Sequence, residues 1–263
     1  MPEASRDIAE GAASPSGQRA WAEVDLEAIV RNYRALTSWV PPTTRVMAIV
    51  KADAYGHGSH AVVGALHRHC GALWFGVATV DEARAVRSAC PACRILVLSP
   101  ILPEEVEPIL ECKVTPVLSD AMLLPVLNRV AGSRRSVVDV HVELDTGMGR
   151  SGVLPGHLPD LARRIAASPC IRLEGLMTHF PDAEADAHGT LRQTAALKKS
   201  QSVVSSILDY APMLHAANSA GTLLYPETHL DMVRPGMALY GLMPAAPPGQ
   251  NVPHLEPVLS LRT

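Results

Sequence analysis

The chain has 263 residues, a formal net charge of −3 and 4% aromatic residues, a balance that gives no electrostatic case for binding nucleic acid or an anionic membrane and no supply of stacking platforms for bases. Hydrophobic residues make up 48%, enough for a sizeable core. No apolar run approaches the ~20 residues that span a bilayer.

Residues 1–20 (MPEASRDIAEGAASPSGQRA) are polar and lack the apolar centre of a signal peptide. They read as a disordered leader, with order beginning near Trp21 and a cytoplasmic address by default. Over 26–38, Leu26, Ile29, Val30, Tyr33 and Leu36 form one apolar stripe, and Asp25 is placed as the N-cap. Strands are predicted at 46–51 (VMAIVK) and 73–77 (LWFGV), followed by a helix from Asp81 (DEARAVRS) with acidic residues in its first turn. Further strands are predicted at 94–98, 114–118, 137–144, 172–179, 213–218 and 231–237, and further helices at 159–167 and 190–209. Residues 120–130 fit a helix less well, because Pro125 should interrupt it. After Gly241 the texture becomes Pro-rich and reads as a linker, and PVLSLRT begins another strand that has nothing left to pair with in sequence. Five cysteines, an odd number, argue against a disulfide framework, and CPAC (90–93) lacks a second CxxC and reads as an incidental pair with no metal.

Eight near-continuous apolar strands with helices between them fit an α/β fold of the (β/α)8 TIM type, an eight-stranded parallel barrel. An open doubly wound sheet is the alternative, weakened because no Gly-rich fingerprint follows the first strand. The expected organisation is a leader over 1–20, a barrel over 21–241, and over 242–263 a linker with the first strand of a further β domain.

In such a barrel the chemistry lies at the carboxyl ends of the strands. Lys51 ends the first strand, Arg150 follows the fifth through DTGMGR, and His179 ends the sixth. Asn218 and Ser219 end the seventh, and Arg234 ends the eighth. Each has a bland reading alone; together they suit one chemistry. A lysine in an apolar pocket can form a Schiff base with an aldehyde cofactor, and pyridoxal 5′-phosphate (PLP) is that cofactor. Its phosphate needs donors from a late barrel loop, which Ser219, the backbone of Gly236 and Met237, and the Tyr55 hydroxyl can supply.

The motifs VKADAYGHG, DTGMGR, THF, ANSA and MVRPGMALYG, in this order between residues 21 and about 241, resemble those of the alanine racemase family. The resemblance implies a PLP-dependent isomerase that interconverts L- and D-alanine for D-alanine biosynthesis, working as a homodimer. By the same resemblance Lys51 holds the cofactor and handles the substrate Cα proton on one face. Tyr55 and Ser219 with Gly236 and Met237 hold the phosphate, and Asn218 belongs to that loop. Arg150 faces the cofactor's phenolic oxygen and the substrate carboxylate, Arg234 meets the pyridine nitrogen, and His179 braces Arg234 and the opposite catalytic group. Two local departures stand out. Asp53 replaces a common Asn and should favour protonation of Lys51 if the two are close. Glu143 stands where some members carry a carboxylated lysine, and is expected to pair with Arg150. The family's tyrosine for the second face comes from a C-terminal domain, and no tyrosine in residues 1–263 matches its motif, so this chain alone is expected to racemise poorly. The alternatives are a single-domain PLP-binding barrel without racemase activity and a barrel with no cofactor, in which Lys51 is incidental.

Overall fold

A computed structural model describes residues 19–244 and 251–263. Residues 1–18 of the expected leader, and 245–250 of the expected linker, lie outside the described residues. The chain begins with β1 (Trp21–Val24) and α1 (Leu26–Trp39), then β2 (Arg45–Ile49), a short α2 (Lys51–Gly56) and α3 (Ser59–Cys70). β3 (Trp74–Val77), α4 (Val80–Ala89), β4 (Arg94–Val97), α5 (Val106–Glu111), β5 (Thr115–Leu118) and α6 (Leu124–Ser133) continue the alternation. β6 (Val138–Glu143), α7 (Leu158–Ala166), β7 (Ile171–Met177), α8 (Ala187–Leu208), β8 (Met213–His215), α9 (Ser219–Leu224), β9 (Met232–Val233) and β10 (Leu259–Arg262) complete it.

Strands β2 to β9 form a closed barrel in sequence order, all ladders parallel. Closure comes where β2 pairs with β3 on one side (Met47↔Trp74) and β9 on the other (Arg45↔Met232). Alternate residues face opposite ways. One set, including Ala48, Phe75, Ile95, Val140, Leu173 and Leu176, packs into the main core with the surrounding helices. The other set fills the barrel with Met47, Ile49, Trp74, Leu96, Val117, Met177 and Met232. The fold is thus the expected (β/α)8 barrel. Among the described residues no helix is long and apolar enough to cross a membrane.

α1 starts where its sequence says it should. Asp25 Oδ1 accepts from Ala28 N at 2.9 Å, and the stripe Ile29, Val30, Tyr33, Leu36 is buried. Asp25→Ala is expected to cost about 1 kcal/mol, read as a lower urea midpoint with unchanged slope.

Three differences from the sequence reading have simple causes. Pro125 falls in the first turn of α6, where its missing N–H is not needed, so it opens the helix instead of breaking it. β2 stops at Ile49, and Lys51 opens a turn in which Ala52, Asp53, Ala54 and Tyr55 all have φ between +51° and +56°. The terminal strand does have a partner: β10 pairs antiparallel with β1, Trp21 opposite Arg262 and Val24 opposite Leu259. β1 was not recognised in the sequence, since its four residues show no buried face. The segment leading into β10 is docked on α1: Asn32 bonds both the N–H and C=O of Glu256, Arg31 pairs with the Glu256 carboxylate at 2.8 Å, and Leu255 and Val258 are buried.

Candidate active site

At the carboxyl rim of the barrel lies a cavity of ≈ 230 Å³. Lys51, Tyr55, Arg150, His179, Asn218, Ser219, Arg234, Gly236 and Met237, the residues singled out from the sequence, all line it, with Glu143 and Glu184 beside them. A larger cavity of ≈ 550 Å³ sits at the amino ends of β4 to β6. Its arginines are already engaged, Arg87 with the carbonyls of Cys93, Cys112 and Lys113, and Arg134 with Glu107 and Glu111.

Lys51 and Tyr55 reach the cavity from one left-handed turn. Such a turn costs about 1–2 kcal/mol per non-glycine residue, so its surroundings must hold it. Glu82 does so with both oxygens, accepting from Ala52 N at 2.9 Å and Ala78 N at 2.7 Å. Asp53 Oδ1 accepts from Ser59 N at 2.7 Å, which holds its carboxyl below the usual range and ties the turn to the start of α3. Asp53 forms no ion pair with Lys51 among the described residues, so the expected charge coupling is replaced by this structural one. Lys51 itself makes neither an ion pair nor a hydrogen bond among the described residues.

Arg150 is carried by the loop between β6 and α7. Asp145 Oδ1 accepts from Gly147 N and Gly149 N, both at 3.0 Å, and Val153 pairs back with Glu143 and Asp145 to pinch the loop shut. Gly152 (φ +110°) permits the pinch, since a Cβ there would lie 2.8 Å from Asp145 N. Arg150 is exposed and has no ion pair among the described residues. The expected Glu143–Arg150 pair is therefore not formed: Glu143 is buried, Ser151 Oγ donates to its carboxylate at 2.7 Å, and its charge acts on Arg234, whose protonated form it favours.

Arg234 is 5% exposed, and burial pushes its pKa down to about 10. Its guanidinium donates to His215 Nδ1 at 2.8 Å, Thr178 O at 2.8 Å and Ala216 O at 3.3 Å. The residue that braces Arg234 is thus His215, not His179 as expected. The sequence signal was available: His215 lies in the predicted strand 213–218, at an interior position. Gln193 was also missed. It reaches from α8 to Thr146 Oγ1 and the His179 carbonyl, latching two rim loops together.

His179 is pushed down to about 3, by burial and then by the positive charges of Arg234, Arg150 and Lys51, so it is neutral at physiological pH. Below an ordinary histidine pKa the unfolded chain binds a proton here that the folded chain refuses, so this group lowers stability as pH falls from about 6.5 towards 3. His141 and His215, held neutral chiefly by burial, act in the same direction. His179→Gln should flatten the fall of the urea midpoint between about pH 7 and pH 5; equal slopes for the two proteins would contradict the assignment.

One end of the cavity is formed by α9 and the turn after β9. Asn218 caps α9 by accepting from Gly221 N, and Ser219 Oγ accepts from Gly236 N at 3.0 Å and Ala238 N at 3.1 Å. The first N–H groups of α9 and of the turn opening at Met237 have no acceptor within their own helix. A Cβ on Gly236 would stand 2.7 Å from the Tyr55 hydroxyl, so glycine there lets that hydroxyl close against the backbone. Hydroxyls and N–H donors from Tyr55, Ser219 and Met237 thus meet one end of a cavity whose other walls offer an amine and two guanidinium groups, a donor set that fits a phosphorylated, anionic aldehyde.

Barrels of this kind keep their chemistry at the carboxyl rim and leave the opposite end to stability. This molecule gathers its candidate residues at the carboxyl rim and belongs with the (β/α)8 barrels. Residues 24–244 match the family model described as alanine racemase, N-terminal domain, and the chain belongs to that family. It is 39% identical over 247 residues to an alanine racemase of Symbiobacterium thermophilum, covering 92% of this chain and 64% of that protein. The chain thus spans just under two thirds of that relative's length. Among solved structures it resembles the Clostridium difficile 630 alanine racemase complex with cycloserine (TM-score 0.86, 27% identity, 93% of this chain and 68% of that one). It also resembles the Bartonella henselae alanine racemase with covalently bound pyridoxal phosphate (TM-score 0.81, 28% identity, 92% of this chain and 65% of that one).

Proposed function

We propose that this barrel is the cofactor- and substrate-binding part of a PLP-dependent alanine racemase. The observation that carries the reading is the single cavity that gathers an unpaired Lys51, Arg150, a buried Arg234 and the Ser219–Gly236 donor cluster. Lys51 holds the cofactor covalently through Nζ. Tyr55, Ser219 and the Met237 N–H hold its phosphate, and Arg234 presents guanidinium N–H groups to the ring nitrogen. When bound, the cofactor draws electrons away from the Cα of an attached amino acid and makes that C–H bond acidic. Arg150, with no ion pair among the described residues, takes the substrate carboxylate. Lys51 removes or returns the Cα proton on one face. His179, neutral and hemmed in by cations, does not compete as a cationic acid. Arg234 keeps its own proton and presents only donors, so a ring nitrogen beside it would stay unprotonated, which limits side reactions that need a strong electron sink.

Racemisation also needs a proton group on the other face. We place it on a second copy of the protein, on a surface that covers the cavity mouth where Tyr55 and Met237 are left part exposed. Five free cysteines fit a reducing, cytoplasmic setting. Since the resemblance puts Lys51 on the D face, the test is incubation with PLP and D-alanine in D2O: exchange of the Cα proton for deuterium is expected, faster than L-alanine accumulates. PLP binding with no Cα exchange would overturn the reading.

A further inference from the structure

Arg234 heads a hydrogen-bonded chain that runs through the barrel interior away from the cavity. Below it, His215 Nε2 lies 2.7 Å from His141 Nδ1, and His141 Nε2 lies 3.3 Å from Glu174 Oε2. Arg94 Nη2 closes the far end, 2.7 Å from the Glu174 carboxylate, with its guanidinium 4.5 Å above the Trp74 ring. Both imidazoles are fully buried. Polar groups so deep are costly unless every link is satisfied in one consistent direction.

That direction is forced. A guanidinium has no acceptor, so His215 Nδ1 must be bare where Arg234 donates to it. The neutral ring then carries its proton on Nε2 and donates to His141 Nδ1. His141 in turn carries its proton on Nε2 and donates to Glu174. Every proton points away from the cavity, and the carboxylate is the terminal acceptor.

The backbone is built around this chain. The β6–β7 register shifts so that Val140 faces Leu173 but His141 faces Gly175, leaving Glu174 as the extra residue of a bulge. Leu173 and Leu176 still pack into the outer core and Met177 into the barrel interior. The bulge thus gives His141 two consecutive neighbours. Glu174 supplies the acceptor, and Gly175 supplies the space, since a Cβ there would stand 2.7 Å from the His141 ring.

We propose that Glu174 and His141, neither of which lines the cavity, are positioning residues: they fix the tautomer of His215 and thereby hold Arg234 in one orientation as a donor to the site. The consequence for the cofactor ring rests on the function proposed above; the order of protons along the chain does not.

NMR of the cofactor-free protein with 15N-labelled histidine tests the chain directly. Nε2–H tautomers are expected for both His141 and His215 at neutral pH. A proton on His215 Nδ1, or a doubly protonated ring at either position, overturns the proposal, and this measurement needs no variant to fold. Glu174→Gln keeps an acceptor oxygen and should preserve both tautomers, whereas Glu174→Leu should release His141 to its other form. Titration with PLP followed by absorbance should show about tenfold weaker binding for Glu174→Leu and less than about twofold for Glu174→Gln, the difference expected for one lost charged hydrogen bond. Unchanged tautomers in Glu174→Leu, or changed tautomers with wild-type PLP affinity, overturn the link to Arg234. Failure of the wild-type chain to bind PLP overturns the cofactor reading instead, while the tautomers still decide the order of the chain.

Discussion

Lys51→Ala is expected to abolish covalent retention of the cofactor. After incubation with PLP and reduction by borohydride, the wild-type chain should carry one added cofactor mass, mapped to the peptide containing Lys51, and the variant none. The chain has four lysines, and Lys113, Lys198 and Lys199 lie on α8 or the turn after α5, away from the cavity. Of the four, Lys51 alone lines the cavity with the Tyr55, Ser219 and Met237 donors. Label on the other three lysines at wild-type level, or undiminished label in Lys51→Ala, would refute the assignment. The donors proposed for the phosphate are untouched in the variant, so weak non-covalent binding should persist.

The second large effect concerns stability. Phe180→Ala is expected to cost about 3–5 kcal/mol, because truncating a fully buried aromatic side chain leaves a cavity that a packed interior closes only in part. Phe180 is 1% exposed, and its ring comes within 3.1 Å of where a Cβ on Gly221 would lie. Helix α9 is thus seated directly on this ring, and α9 carries Asn218 and Ser219. At roughly 2–4 °C per kcal/mol for a chain of this size, a fall in Tm of about 10 °C should appear in a thermal melt. PLP affinity should fall with it, since the Ser219 donor cluster loses its support. A loss below about 1.5 kcal/mol would mean that α9 collapses into the void at little cost.

The barrel was legible because its strands are apolar on both faces and its helices carry one stripe each, a contrast that survives without knowledge of pairing. The rim residues were legible for a related reason: in this fold the end of a strand is a place, so Lys51, His179 and Arg234 could be assigned to one mouth from their order in the chain. What sequence could not give was which polar group holds which. His179 and His215 are both histidines at strand ends, and only the coordinates show that Arg234 turns to the second. Glu143 was assigned to Arg150 because it stands where some relatives carry a carboxylated lysine, but a loop that folds back on itself brings Ser151 to the carboxylate first. β1 and β10 escaped recognition as a pair because some 235 residues separate them and neither has a buried face to announce it.

The turn that carries Lys51 is wound with the opposite hand to every α-helix around it, and it is wound from alanine, aspartate and tyrosine, with glycine only at its end. At positions 52 and 54 the backbone therefore occupies the well that a mirror-image amino acid prefers. A chain assembled by ligation with D-alanine at either position should resist denaturant better than the all-L protein, and valine or isoleucine there should be the hardest replacements to tolerate. The segment that presents Lys51 to the cavity is, in its local stereochemistry, better suited to the enantiomer of its own residues.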